Sequence, residues 1–346
     1  MEKSPVPSIL RTIDAHTAGE PLRLVVEGWP APKGATMLEK RAWAKARQDG
    51  LRRALMFEPR GHADMYGALL TEPERPDSDA GVLFMHNEGF STMCGHGIVA
   101  VVTIAIERGL MTPRSSAQDD SSHPRLTLDA PAGQIRAQAR VATKNGRPRV
   151  EDVSFVNVPS FVLAAALSVE CAGRAVTVDV AFGGAFYAVV DAEAVGLAVT
   201  AERLPALREA GMTIARAVER AITVVHPLER GLTGVYGTIF TGPPTRAGAD
   251  LRNVTIFADR EVDRSPCGTG TCAVLAVLDA MGLVDPVRPF VHESIIGTTF
   301  SARVISRTTV GDLPAIVPEL TGSAWITGEQ TFIVQADDPL AEGFRI

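Results

Sequence analysis

Apolar and polar positions alternate along this chain in short runs, some with the two-residue period of strands and others with the period of helices. Ile9–Asp14 and Leu22–Glu27 read as strands on either side of the turn-rich Thr17-Ala18-Gly19-Glu20-Pro21. Met37–Leu55 predicts one helix, opened by Thr36 and Glu39 at capping-box spacing. Gly81–His86 is an apolar run of strand length, and Ile98–Arg108 is a strongly apolar helix ended by Gly109. Arg125–Leu128, Gln134–Ala142 and Val150–Val156 follow as strands. Lys144-Asn145-Gly146-Arg147 is the hairpin turn before the last of them. Ser115–Pro124, rich in Ser and Asp, and Gly242–Asp250 predict loops.

The second half repeats this grammar. Ala175–Ala181 and Ala185–Val190 predict strands around Gly183-Gly184. Leu207–Val224 predicts an amphipathic helix with Leu207, Gly211, Ile214, Val218 and Ile222 on one face. Val235–Phe240 and Val254–Ala258 predict strands, Ala273–Met281 a helix ended by Gly282, and further strands run to Phe332–Gln335. The expected class is α+β with two similar halves, as 346 residues would suggest. The expected boundaries are 1–160 with 335–346 for the first half and 161–334 for the second.

The repeat carries the chemistry. Met93-Cys94-Gly95-His96-Gly97 in the first half matches Pro266-Cys267-Gly268-Thr269-Gly270 in the second, and the two cysteines stand 173 residues apart, half the chain length. Each is followed by an apolar helix, and Gly109 and Gly282 close those helices at the same offset. A cysteine just before a helix sits at the positive end of its dipole, which is expected to lower a thiol pKa from about 8.5 toward neutrality. The neighbouring backbone N–H groups can hold a carboxylate. Two such thiols suit removal of a proton from one face of an α-carbon and its return to the other. Amides aimed at the carbanion would make a cofactor unnecessary.

Composition narrows the alternatives. Forty acidic residues against 34 basic ones give a net charge of −6, which argues against a nucleic-acid partner. No apolar run approaches the ~20 residues of a membrane span. Met1–Pro7 lacks the apolar core of a signal peptide, so a cytoplasmic location and reduced cysteines are expected. Cys171 and Cys272 read as core cysteines. Cys267 and Cys272 are spaced as zinc ligands can be, but no second pair completes a site. His16 and His62 sit in polar turns, where fixing the loop outweighs lining a site. Asp263, four residues before Cys267, could equally receive a ligand ammonium or cap the helix.

At these residues the chain resembles the proline racemase family. The matching stretches are His16-Thr17-Ala18-Gly19-Glu20-Pro21, Glu58-Pro59-Arg60-Gly61-His62, Gly183-Gly184-Ala185-Phe186-Tyr187, the Cys94 motif, and Asp263-Arg264-Ser265-Pro266 with the Cys267 motif. The resemblance implies a diaminopimelate-epimerase-like fold, two halves each a curved sheet around a central helix, with the site in the cleft between them. It also implies cofactor-independent proton transfer, with Cys94 and Cys267 as the acid/base pair. Gly95, His96, Asp263, Gly268 and Thr269 would hold the carboxylate and amine of a hydroxyproline substrate.

Leu55–His62 with Asp64–Gly67, Leu83–Phe90 and Asp337–Leu340 look like the trans-3-hydroxy-L-proline dehydratase branch. That branch typically has threonine at the second catalytic position, where this chain has Cys267. The expected function is therefore dehydration to pyrroline-2-carboxylate together with epimerisation at C2 to cis-3-hydroxy-D-proline. A 4-hydroxyproline 2-epimerase, a proline racemase and a non-catalytic binding protein remain the alternatives. A homodimer is one assembly open to it, and the sequence does not give the oligomeric state.

Overall fold

A computed structural model describes residues 9–111 and 122–346. The expected loop at Ser115–Pro124 lies outside the described residues as far as position 121, as does the Met1–Pro7 segment. In chain order the elements are β1 (Ile9–Thr17), β2 (Glu20–Glu27), α1 (Met37–Arg47), α2 (Asp49–Met56), β3 (Tyr66–Thr71), β4 (Ala80–His86), β5 (Gly89–Ser91) and α3 (Gly95–Glu107). They continue with β6 (Arg125–Ala130), β7 (Gly133–Lys144), β8 (Arg147–Val156), β9 (Ser160–Cys171), β10 (Arg174–Phe182), β11 (Phe186–Asp191) and α4 (Leu204–Ala221). The last are β12 (Val235–Gly242), β13 (Leu251–Phe257), β14 (Glu261–Asp263), α5 (Gly268–Ala280), β15 (Phe290–Ser294), β16 (Thr299–Val310), β17 (Leu313–Gly322) and β18 (Ala324–Ile333). Among the described residues no helix is long and apolar enough to cross a membrane.

The chain divides into two compact units, Met1–Val153 with Ser323–Ile346, and Ser154–Gly322. These boundaries fall before the expected ones, because β18 pairs along its whole length with β1, from Ile333 opposite Ile9 to Ala324 opposite Thr17. In the first unit the ladder runs β18-β1-β2-β3-β4-β6-β7, with β2–β3 and β4–β6 parallel and the other pairs antiparallel. β5 is a short spur on β4, with Ser91 opposite Phe84. In the second unit β9-β10-β11-β12-β13-β15-β16-β17 closes on itself through Ala315 opposite Phe161, giving an eight-stranded barrel. β14 is the matching spur on β13, with Asp263 opposite Thr255.

Each unit wraps its sheet around one helix. α3 packs against β1, β2, β3, β7 and β18, and α5 against β9, β10, β11, β16 and β17. Both helices are apolar all round, as a helix enclosed by a sheet must be, and every residue from Gly95 to Ala105 is buried. Each fully buried Val, Leu or Ile there contributes roughly 1.5–3 kcal/mol.

The single helix expected over Met37–Leu55 is two. Gln48 interrupts it at φ −123°, ψ 13°. Its buried amide accepts from Trp29 Nε1 at 2.8 Å and donates to Pro30 O at 2.6 Å. The two hydrogen bonds fix a break that apolar periodicity does not encode. Both central helices begin earlier than the apolar pattern predicts, because glycines fill their first turns. α4 starts and ends three residues early, and Ile222 is already extended (φ −140°, ψ 157°). β9 escapes the period-two signal because its Leu163–Leu167 stretch carries a run of alanines and a bulge, with Ala166 at φ +52° and its N–H on Asp179 Oδ1.

Candidate active site

Cys94 is the N-cap of α3, in extended conformation (φ −149°, ψ 111°), and its sulfur accepts the Gly97 N–H at 3.2 Å. His96 curls back over it, with Nδ1 3.2 Å and Nε2 3.6 Å from Sγ. The glycine at 97 is demanded by packing, since a Cβ there would stand 2.4 Å from the Phe84 ring. Tyr66 sets its ring edge against His96, centroids 4.8 Å apart, and stacks on His86 at 5.6 Å. The Tyr66 hydroxyl pairs with Ser91 Oγ at 2.5 Å. Thr17 donates to the His96 carbonyl at 2.9 Å, tying the first turn of α3 to the end of β1.

The Phe57–Met65 loop delivers Tyr66 to this place. Asn87 donates to Met56 O at 2.7 Å and His62 O at 3.2 Å and accepts Met65 N–H at 3.1 Å. Arg23, paired with Asp14 at 2.9 Å, reaches Leu55 O and Arg60 O. Arg60 in turn holds Ala54 O and the Ala341 carbonyl, and Phe344 N–H bonds Glu58 O at 2.8 Å. The Glu58–His62 motif and the C-terminal stretch thus latch onto each other. His16 fixes its turn, accepting Gly19 N–H at 3.3 Å and stacking on Trp325. His62 is exposed, with Nδ1 2.7 Å from Ala63 O.

Cys267 is the N-cap of α5 but in a left-handed conformation, φ +61° and ψ 108°. A non-glycine residue held there stores on the order of 1–3 kcal/mol. Asp263, at the end of β14, accepts Ser265 N–H at 2.8 Å and its hydroxyl at 2.7 Å, and Ser265 Oγ accepts Cys267 N–H at 3.1 Å. Burial pushes the Asp263 carboxyl up to about 6, against the pull of the Ser265 donors. The Cys267 sulfur lies 3.7 Å from Tyr187 OH and 3.9 Å from Thr269 Oγ1.

The electrostatics correct one expectation. Burial pushes the Cys267 thiol well up, and the Asp263 carboxylate pushes the same way. The Thr255 hydroxyl, the Gly270 N–H and the Tyr187 hydroxyl pull down but do not win. Desolvation by burial is the largest contribution, so the Cys267 thiol lies above its ordinary range and not below it as a helix N-terminus alone implies.

Cys94, Gly95 and His96 are therefore gathered at the start of α3. Cys267, Gly268, Thr269 and Asp263 are gathered at the start of α5. Cys272 is core, its thiol pushed up to about 12 by burial. Sequence reasoning missed Tyr66 and Ser91, which stand behind His96, and Tyr187, Thr255 and Ser265, which adjoin Cys267. Ser265, Tyr187 and Tyr66 lie inside the matching stretches, but nothing in spacing alone aims them at the site.

The proline racemase family matches residues 12–345. A trans-3-hydroxy-L-proline dehydratase of Bacillus cereus is 48% identical over 341 residues, covering 99% of both chains. A 3-hydroxyproline 2-epimerase of Burkholderia multivorans is 43% identical over 338 residues, covering 97% of this chain and 98% of that one. The crystal structure of a hydroxyproline epimerase from Agrobacterium vitis with bound trans-4-hydroxy-L-proline superposes with a TM-score of 0.87 at 30% identity, covering 98% of this chain and 96% of the other. The fold is diaminopimelate-epimerase-like, and the chain belongs to the proline racemase family.

Proposed function

We propose that the protein is a bifunctional, cofactor-independent enzyme acting on trans-3-hydroxy-L-proline. It dehydrates the substrate to pyrroline-2-carboxylate and epimerises it at C2 to cis-3-hydroxy-D-proline. The observation that carries the reading is a thiol at the N-cap of the central helix in both units, with unlike partners. Relatives bearing each of the two activities, at 48% and 43% identity, support the substrate class.

Cys94 is the base. A backbone N–H and an imidazole address its sulfur, and both are groups that a thiolate accepts from. It takes the α-proton of the L-substrate. The 3-hydroxyl lies on the same ring face, so the Cys94 thiol then gives that proton to the departing hydroxyl. Water leaves and the thiolate is restored. In the second fate Cys267 protonates the carbanion from the opposite face. Its raised pKa keeps it a thiol, ready to donate.

The amides of Gly95, His96, Gly268 and Thr269, in the first turns of the two helices, are assigned to the carboxylate. Asp263 is assigned to the substrate ammonium. The four cysteines are free thiols, which suits a reducing cytoplasm. Assembly as a homodimer belongs to the same reading and is checked by light scattering.

The test pairs turnover with labelling. The purified enzyme should consume trans-3-hydroxy-L-proline, and pyrrole-2-carboxylate, a planar carbanion mimic, should protect Cys94 and Cys267 from iodoacetamide. Turnover of trans-4-hydroxy-L-proline alone would replace this reading with 4-hydroxyproline 2-epimerisation. Neither turnover nor protection would leave a binding protein.

A further inference from the structure

The Gly183-Gly184-Ala185-Phe186-Tyr187 motif is not accounted for by the two thiols and the carboxylate-binding turns. The structure gives it a place. Gly183 lies so close to α5 that a Cβ would stand 2.2 Å from Thr269 O and 2.7 Å from Ala273 N. That approach lays the start of β11 against the first turn of the helix. Tyr187 follows four residues later, fully buried, its ring edge-on to Tyr236 at 5.8 Å, with Tyr236 stacked on Phe257 at 5.3 Å. The ring is held by packing, and only the hydroxyl torsion is free. That hydroxyl is shared between Thr269 Oγ1 at 2.6 Å and Cys267 Sγ at 3.7 Å.

We propose that Tyr187 is a positioning residue for Cys267, and that the Tyr187–Thr269 hydroxyl pair sets how much of each turnover ends in the D-epimer. The inference rests on the bifunctional reading. While Cys267 is a thiol, its S–H donates to the Tyr187 oxygen and the Tyr187 O–H donates to Thr269 Oγ1. When the S–H proton moves to C2 of the carbanion, the S–H bond breaks, a C–H bond forms and a thiolate remains. Tyr187 then turns its O–H onto the sulfur, and the Thr269 O–H turns onto the Tyr187 oxygen. No proton leaves the pair; two hydrogen bonds reverse. Burial holds the phenol well above its ordinary range, so it acts as a hydrogen-bond donor and not as a base. The other titratable groups facing this pair are Asp263, which acts on Cys267, and Tyr236, behind the Tyr187 ring.

Two measurements on Tyr187→Phe test this. The first is the ratio of cis-3-hydroxy-D-proline to pyrroline-2-carboxylate. It should fall roughly 10- to 100-fold, the effect of one hydrogen bond to a charged group. A merely structural defect slows both products together and leaves the ratio where it was. The second is the rate of iodoacetamide labelling of Cys267, read by peptide mass mapping at one fixed alkaline pH; it should fall about as much, because the thiolate loses its donor. Thr269→Ser, which keeps the hydroxyl, should keep the ratio. An unchanged ratio and labelling rate in Tyr187→Phe would overturn the assignment, as would a collapse of the ratio in Thr269→Ser equal to that in Tyr187→Phe. If the unaltered enzyme makes no epimer but Tyr187→Phe still slows Cys267 labelling, the bifunctional reading falls and the positioning role stands.

Discussion

The start of α3 and the start of α5 are copies of one design that have been finished differently. Both place a cysteine at the N-cap, glycine at the next position and a second glycine where a Cβ would crowd the sulfur, at 3.0 Å from Cys94 Sγ and 2.9 Å from Cys267 Sγ. The residue between the glycines differs. In the first unit it is His96, whose ring lies on the Cys94 sulfur. In the second it is Thr269, whose hydroxyl is bound to Tyr187. The spur strands differ in the same sense: β5 ends in neutral Ser91, and β14 ends in Asp263. Both sulfurs are buried and both are met by hydrogen-bonding groups, but an imidazole lies on the first and the Asp263 carboxylate acts on the second. Duplication supplies the cysteine at the N-cap and the glycines around it; the backbone at the cysteine and the neighbours of its sulfur differ between the units.

The sharpest way to break the comparison is at the base. Cys94→Ser should lower both dehydration and epimerisation by about 10²- to 10⁴-fold, the usual range for a positioned acid or base. Steady-state rates for both products check this, and unaffected dehydration would show that the faces are reversed. Cys267→Thr should abolish epimerisation and largely retain dehydration. Loss of both, measured by chiral chromatography, would end the division of labour.

Asp263 should give a smaller effect with a defined pH signature. Its carboxyl titrates at about 6 in the folded protein, above its ordinary value of 3.8. As the pH falls through that value the carboxylate is lost, so KM should rise if Asp263 receives the substrate ammonium as proposed. Asp263→Asn should raise KM roughly 10- to 100-fold and remove this acid limb. The linkage to stability has the opposite sense. A carboxyl with a raised folded pKa favours the fold below its unfolded pKa, and that contribution is lost as the pH rises through about 6. Asp263→Asn should therefore be more stable than the parent at pH 8 by on the order of 1–3 kcal/mol, with the gap closing in acid. Thermal unfolding at several pH values reads it.

The smallest effect is expected at the latch behind Tyr66. Asn87→Ala leaves Met56 O, His62 O and the Met65 N–H without their partner, at a cost of about 1–3 kcal/mol in stability. Chemical denaturation checks it. The damage should slow turnover through the Cys94 side without shifting the product ratio.

The two cysteine motifs and the glycines that end their helices were legible because they repeat at a fixed offset, and a helix end has local signals. The capping box at Thr36 and Glu39 was legible for the same reason, and both halves of it are made. What spacing could not show is set by partners distant in the chain. The break at Gln48 depends on Trp29 and Pro30. The placement of Tyr66 depends on Asn87 and on the C-terminal stretch. The direction of the Cys267 shift depends on how deeply the barrel buries the sulfur, which no local pattern records. Tyr187 lies in a matching motif, yet its hydroxyl meets Thr269, 82 residues later in the chain.

The central claim is one carbanion with two fates, and proton NMR of the purified enzyme with trans-3-hydroxy-L-proline in D2O tests it most directly. The account predicts pyrroline-2-carboxylate together with α-deuterated cis-3-hydroxy-D-proline. Pyrroline-2-carboxylate alone would contradict it, leaving a plain dehydratase in which Cys267 returns no proton.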